Sequence, residues 1–343
     1  MKMKRSPEMQ REFWRFHYLL ATVFIATSAT YFSAKHLANP TYISSGLAAG
    51  AVCILTSIIL VLFAFFRQKR SQPLRERIPE TLGYLITSFS YMTMYFFVLA
   101  LADRTIPQMP TSPEGISIVI GVVSGFLIYN ISLAFERHSA NQLVVHATIG
   151  TVCGMLLSIL LSDSSDWWQR HFSSLGSNNT ASAWLFDMTL YMVSLFNTLI
   201  GYLVANDIRR IHITLGRPYK ARVFITRLLL SLVGAMAFIA ATISYTENFV
   251  VHDTAARFMG VFMALFVLVA PWLVPRLPKS FVIFSIILSI CPVLAWPYVL
   301  SLELKLSLYE IITILGVLMW LALFTRIVDV IKRDTTEHKK SSA

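Results

Sequence analysis

One carboxylate, Asp187, sits inside an apolar segment of membrane-spanning length, AWLFDMTLYMVSLFNTLIGYLVA, which also carries Asn197. On insertion scales a carboxylate at the bilayer centre costs roughly 2.5–3.5 kcal/mol, and less near an interface, so its burial must be offset by something. Just before it runs a polar loop, DSSDWWQRHFSSLGSNNTAS, holding Asp163, Asp166, Arg170 and His171. Together with Asp187 and Asn197 these side chains suit an outward-facing polar pocket that recognises a cation, a sugar or a lipid head group. The plainer reading is that Arg170 or a helix terminus neutralises Asp187 and that the loop is simply solvated. A single histidine among these carboxylates matches no familiar metal spacing, and HExxH, a P-loop, a Rossmann fingerprint and GxSxG in a helix context are all missing. No metal and no cofactor is expected.

The elements that must position these groups are transmembrane helices. Of the 343 residues, 56% are hydrophobic and 14% charged, against about 25% charged in a soluble domain. The apolar residues fall in runs of roughly twenty, the length that crosses a ~30 Å hydrocarbon core. Runs are centred within about 18–34, 45–66, 83–102, 116–135, 143–162, 183–205, 223–244, 256–274, 281–300 and 309–330. The expected fold is therefore all-α, a polytopic bundle of about ten spans. It divides into a basic N-terminus (1–16), a membrane domain (17–331, with the loop 163–182) and a polar, mobile tail (332–343). The first run resembles a signal peptide, and we read it as an uncleaved span.

Charge sets the orientation. With ten spans, the N-terminus, the even-numbered connectors and the tail hold about 23 Lys and Arg, whereas the other side holds about five: Lys35, Arg104, Arg170, Arg257 and Lys305. Both termini are thus expected in the cytoplasm of a multi-pass cell-membrane protein. A nine-span count would strand one terminal basic cluster on the wrong side. The net charge of +11 lies in short connectors rather than on one face, so nucleic acid is not an expected partner. Membrane lipids are.

Glycines four apart recur in three runs: Gly46 and Gly50, Gly121 and Gly125, Gly150 and Gly154. Such faces let helix backbones approach closely, within one chain or, less often, in a homo-oligomer or with a partner protein. The fourth and fifth runs, joined by a short link, are expected to pair through their glycines, with Asn130 and His146 sharing a hydrogen bond. Arg227 is expected to snorkel and Glu310 to reach water. Pro292 interrupts the ninth run, where an unwound helix would be the functional reading and a packing kink the plain one. Cys53, Cys153 and Cys291 lie in apolar runs as free thiols, and Asn178-Asn179-Thr180 is a formal glycosylation acceptor.

The stretch from Leu143 to Ala205 resembles a family of bacterial membrane proteins catalogued as domain of unknown function nine hundred and ninety-eight. The resemblance rests on Phe172-Ser-Ser-Leu-Gly176 followed by Trp184-Leu-Phe-Asp187. It implies a helical integral membrane protein, without a settled activity, whose members usually have fewer spans. It also marks Ser173, Ser174, Gly176, Trp184 and Asp187 as positions of interest. A turn at Gly176 would explain the motif structurally. Three functions are compatible with these residues: a transporter or permease for a small solute or lipid, a membrane component that binds a partner protein or lipid, and, least supported, an enzyme acting on lipid at the outer surface.

Overall fold

The computed structural model describes residues 7–37, 41–67, 74–105, 112–134, 139–163, 172–176, 180–301 and 305–341. Among these, ten α-helices and one short 3-10 helix account for the regular structure. They are α1 (Pro7–His36), α2 (Tyr42–Arg67), α3 (Leu74–Thr105), α4 (Pro113–Ala134), α5 (Ala140–Leu160), η1 (Phe172–Gly176), α6 (Ala181–Thr214), α7 (Lys220–Thr242), α8 (Phe249–Leu273), α9 (Lys279–Leu300) and α10 (Leu306–Ser341). Every expected span has its helix. Eight of them, α2 to α8 and α10, are long and apolar enough to cross a membrane. Of the other two, α1 interleaves Thr22, Thr27, Ser28, Thr30 and Ser33 with its apolar residues, and the described apolar part of α9 ends at Ala295. Pro292 does not unwind α9, which continues through it.

The chain forms two compact units: residues 1–138 with 152–160, and residues 139–151 with 161–343. In the first, the glycines of α4 face α1 and not, as expected, α5. A Cβ on Gly121 would lie 3.0 Å from the Val23 carbonyl oxygen, and one on Gly125 3.3 Å from that of Leu19. A glycine stripe specifies a close neighbour without saying which helix supplies it. On α2, Gly46 and Gly50 receive the side chains of Leu99 and Phe96 from α3. Asp103, near the end of α3, accepts the backbone N–H groups of Tyr42 (2.5 Å) and Ile43 (2.9 Å), occupying two donors that the start of α2 leaves free.

The second unit is organised by α6 and α7, which run antiparallel. Gly234 approaches α6 so closely that a Cβ there would stand 2.6 Å from both the Ser194 carbonyl oxygen and the Thr198 hydroxyl. Further along, a Cβ on Gly201 would lie 3.0 Å from that of Leu230. α6 outlasts its apolar run by about nine residues and stops where Gly216 takes φ +64°. There Arg217 N–H donates to the His212 carbonyl (2.9 Å) and Gly216 N–H to that of Ile213 (3.2 Å), a Schellman closure that glycine makes without steric cost.

The tail read as mobile is instead the last part of α10, which is helical to Ser341. Polar pairing accounts for the beginning of that extension: Lys332 Nζ lies 3.0 Å from both Asp207 of α6 and Asp329, and Arg333 lies 2.6 Å from Asp329. Arg227 does not snorkel freely either. It donates to Asn206 (3.0 Å) and lies over the ring of Tyr202 (5.0 Å). Nearer mid-bundle, Trp320 and Phe324 of α10 stack together and meet Phe266 of α8 and Phe281 of α9, while Trp320 Nε1 donates to Ser285 (2.8 Å).

Gly234→Ala should therefore overpack the α6–α7 contact at a cost of about 1–3 kcal/mol. Gly260→Ala, where a Cβ meets nothing within 4 Å, should be neutral or gain up to about 1 kcal/mol of helix propensity. Thermal unfolding of the purified protein in detergent compares the two, and equal midpoints would show that the helices are not in such close contact.

Candidate functional site

Where α6 begins, Thr180 caps it by accepting the Ala183 N–H (3.3 Å). Trp184 and Asp187 follow three residues apart, hence on one helix face. They form one wall of a cleft of about 670 Å³, completed on the α6 side by Gly176, Thr180 and Ala183. Across from them stand Ala241 and Thr242 at the end of α7 and Ser244, Thr246 and Glu247 of the link to α8. Trp184 is 61% exposed and Asp187 is half-buried. No ion pair or hydrogen bond to the Asp187 carboxylate is present among the described residues. Glu247 accepts the Ser244 N–H (3.2 Å), and the hydroxyls of Ser244 and Thr246 lie 3.1 Å apart.

The motif Phe172-Ser-Ser-Leu-Gly176 forms η1, which packs against the start of α6. Phe172 and Leu175 are buried, and the Phe172 ring meets Phe186 edge-on at 5.5 Å. A Cβ on Gly176 would stand 2.8 Å from the Phe186 ring and 3.0 Å from Asp187 Oδ1. Glycine is needed there for closeness, and that closeness brings the motif against Asp187. Glu310 of α10 does not simply reach water: its Oε2 accepts the Phe172 N–H at 2.6 Å, so a carboxyl group from α10 anchors the start of η1.

The expected constellation is only partly assembled. Asp187, Trp184 and Gly176 share the cleft. Asp163 is exposed and does not line it. Asp166, Arg170 and His171 lie outside the described residues, as do Asn178 and Asn179. Asn197 is ten residues further along α6, about 15 Å at 1.5 Å per residue, and belongs to the packed interior. It is 4% exposed; its Nδ2 donates to the Val193 carbonyl (2.8 Å), while Oδ1 is buried without a partner. Asn130 donates to Phe126 of its own helix (2.7 Å).

Glu247, Thr242, Ser244 and Thr246 were not among the candidates. Their signal lay in topology, because in a ten-span chain the link 243–248 emerges on the same side as the loop before α6. Among the described residues no three His, Cys, Asp or Glu side chains are grouped to hold a metal. What the cleft offers is two carboxylates, four hydroxyl-bearing residues and one indole face.

Residues 145–327, just over half of the chain, match the family described as protein of unknown function (DUF998), and the chain belongs to that family. The match reaches well beyond the stretch whose motifs suggested it and takes in α6 to α9 and much of α10. No curated protein and no solved structure matches the chain.

The Glu310 anchor is open to test. In a cysteine-free background, Leu175→Cys places a thiol at a position only 4% exposed. Adding Glu310→Leu should speed its labelling by about fivefold, since a hydrogen bond contributes roughly 0.5–1.5 kcal/mol. Glu310→Gln, which keeps an oxygen acceptor, should fall between. Unchanged rates in both would mean that aromatic packing alone holds η1.

Proposed function

We propose that this DUF998 member is a permease-like protein of the cell membrane that takes up a small solute or a lipid head group at the Asp187 cleft, with both termini in the cytoplasm. The observation that carries the reading is a half-buried carboxylate without a partner among the described residues, facing a cleft of about 670 Å³. That volume lies in the range of small-molecule sites, about 300–1,000 Å³. Below the cleft α7 packs closely on α6, Gly234 against Ser194 and Thr198. A permease would have to part α6 and α7 there, and the unpartnered Asn197 Oδ1 lies at the level of that contact, between Ser194 and Thr198 in the chain. A buried acceptor left unpaired costs about 1–3 kcal/mol, a cost that use in a second conformation would explain.

A non-transporting component that binds a lipid or partner through the same cleft is the second reading, favoured by that same close α6–α7 contact. Asn197→Cys separates the two. Transport predicts slow labelling by an impermeant thiol reagent from the side of the α6–α7 turn in inside-out vesicles. Inertness from both faces, in a protein that folds and accumulates normally, would remove transport and leave the binding component. Orientation is checked separately: a fluorescent protein fused to either terminus should fluoresce, and alkaline phosphatase inserted in the loop before α6 should be active. The reverse pattern would invert the assignment.

A further inference from the structure

Resting on the binding reading above, we propose that the cleft selects an organic ammonium group, carried either by a lipid head group or by a free amine. The sign of the charge follows from what converges there. Asp187 and Glu247 bring two carboxylates, and no Lys, Arg or His is among the described residues that line the cleft. Helix termini do not reverse this. The starts of α6 and α8 and the end of α7 meet at this place, each equivalent to about half a charge at most, so they leave roughly half a positive unit against two negative ones.

Size excludes the simplest cation. A bare metal ion needs about six oxygen ligands within roughly 2.0–2.6 Å, whereas this cleft is about 670 Å³ and the described residues group no three metal-binding side chains. A body the size of an alkylammonium fills such a volume better. The third feature is Trp184. An indole 61% exposed on the same helix face as a carboxylate without a partner among the described residues pairs a π surface with a counter-ion, the combination that recognises quaternary ammonium. Threonine and serine hydroxyls on the opposite wall supply acceptors for a head-group hydroxyl or a primary ammonium. A neutral polyol would also use those hydroxyls and the indole, but would leave two carboxylates without a counter-charge. The ammonium satisfies both.

The test uses the full-length protein in a non-ionic detergent and titrates choline, its neutral isostere 3,3-dimethylbutanol, and inositol by calorimetry. Choline should bind at least about tenfold more tightly than the isostere, and Asp187→Asn, Glu247→Gln and Trp184→Ala should each weaken it by about tenfold without lowering the unfolding midpoint. If choline does not bind from solution, Thr246→Cys in nanodiscs should be protected from a maleimide by phosphatidylcholine or phosphatidylethanolamine and not by phosphatidylglycerol, which assigns the ammonium to a lipid. Equal binding of the isostere, or binding of inositol with none of choline, overturns the ammonium assignment while leaving a ligand cleft in place. Absence of choline binding together with equal labelling in all three lipids overturns it as well.

Discussion

The contact between α6 and α7 is the constraint on which the second unit depends. Apolar side chains gain little by leaving lipid for one another, so association must come from close packing and hydrogen bonds. Gly234 meets the Ser194 backbone, and Ala237 and Ala241, both buried, extend the same small-residue stripe along α7. This holds the two helices together in mid-bundle. The cleft begins where the stripe ends, between the first two turns of α6 and the last residues of α7, and its position follows from that contact.

Polar groups are distributed unequally along the unit. At the end where α6 finishes, most are paired: Lys332 joins Asp207 and Asp329, Arg227 holds Asn206, His212 Nε2 lies 2.9 Å from the Leu273 carbonyl, and Arg222 stacks on Trp272 at 4.8 Å while donating to its carbonyl. These pairs tie α6 to α7, α8 and α10. At the other end Glu310 holds η1, and Asp187 has no partner among the described residues. Structural polarity and candidate ligand-binding polarity thus lie towards opposite ends of α6: Asp187 and Asn206 are nineteen residues apart, about 28 Å at 1.5 Å per residue, with the Gly234 contact between them.

Much of this architecture was legible from the sequence. Apolar runs of about twenty residues have few alternatives in a bilayer, so the helices stand where hydropathy puts them, and a carboxylate within such a run announced its own importance. Pairing was less legible. The glycines of α4 advertised a close neighbour but not its identity, because α1 meets them with a valine and a threonine rather than with a matching glycine motif. Gly234 was missed because its counterpart on α6 is a backbone carbonyl, which every residue has. Helix ends were misjudged where polar pairs such as Lys332 with Asp207 support a helix beyond its apolar run, an interaction 125 residues apart in sequence. Glu247 escaped notice for the same reason, since only the antiparallel arrangement of α6 and α7 brings it to Asp187.

The most direct test of this account is the accessibility of position 187. With Cys53, Cys153 and Cys291 replaced and Asp187→Cys introduced, intact cells would be exposed to a membrane-impermeant maleimide. The account predicts ready labelling from outside, because the side chain opens into a polar cleft next to the exposed Trp184. A folded, normally accumulating protein whose residue 187 resists the reagent from outside would contradict it, and would make Asp187 a sealed packing residue instead of a binding group.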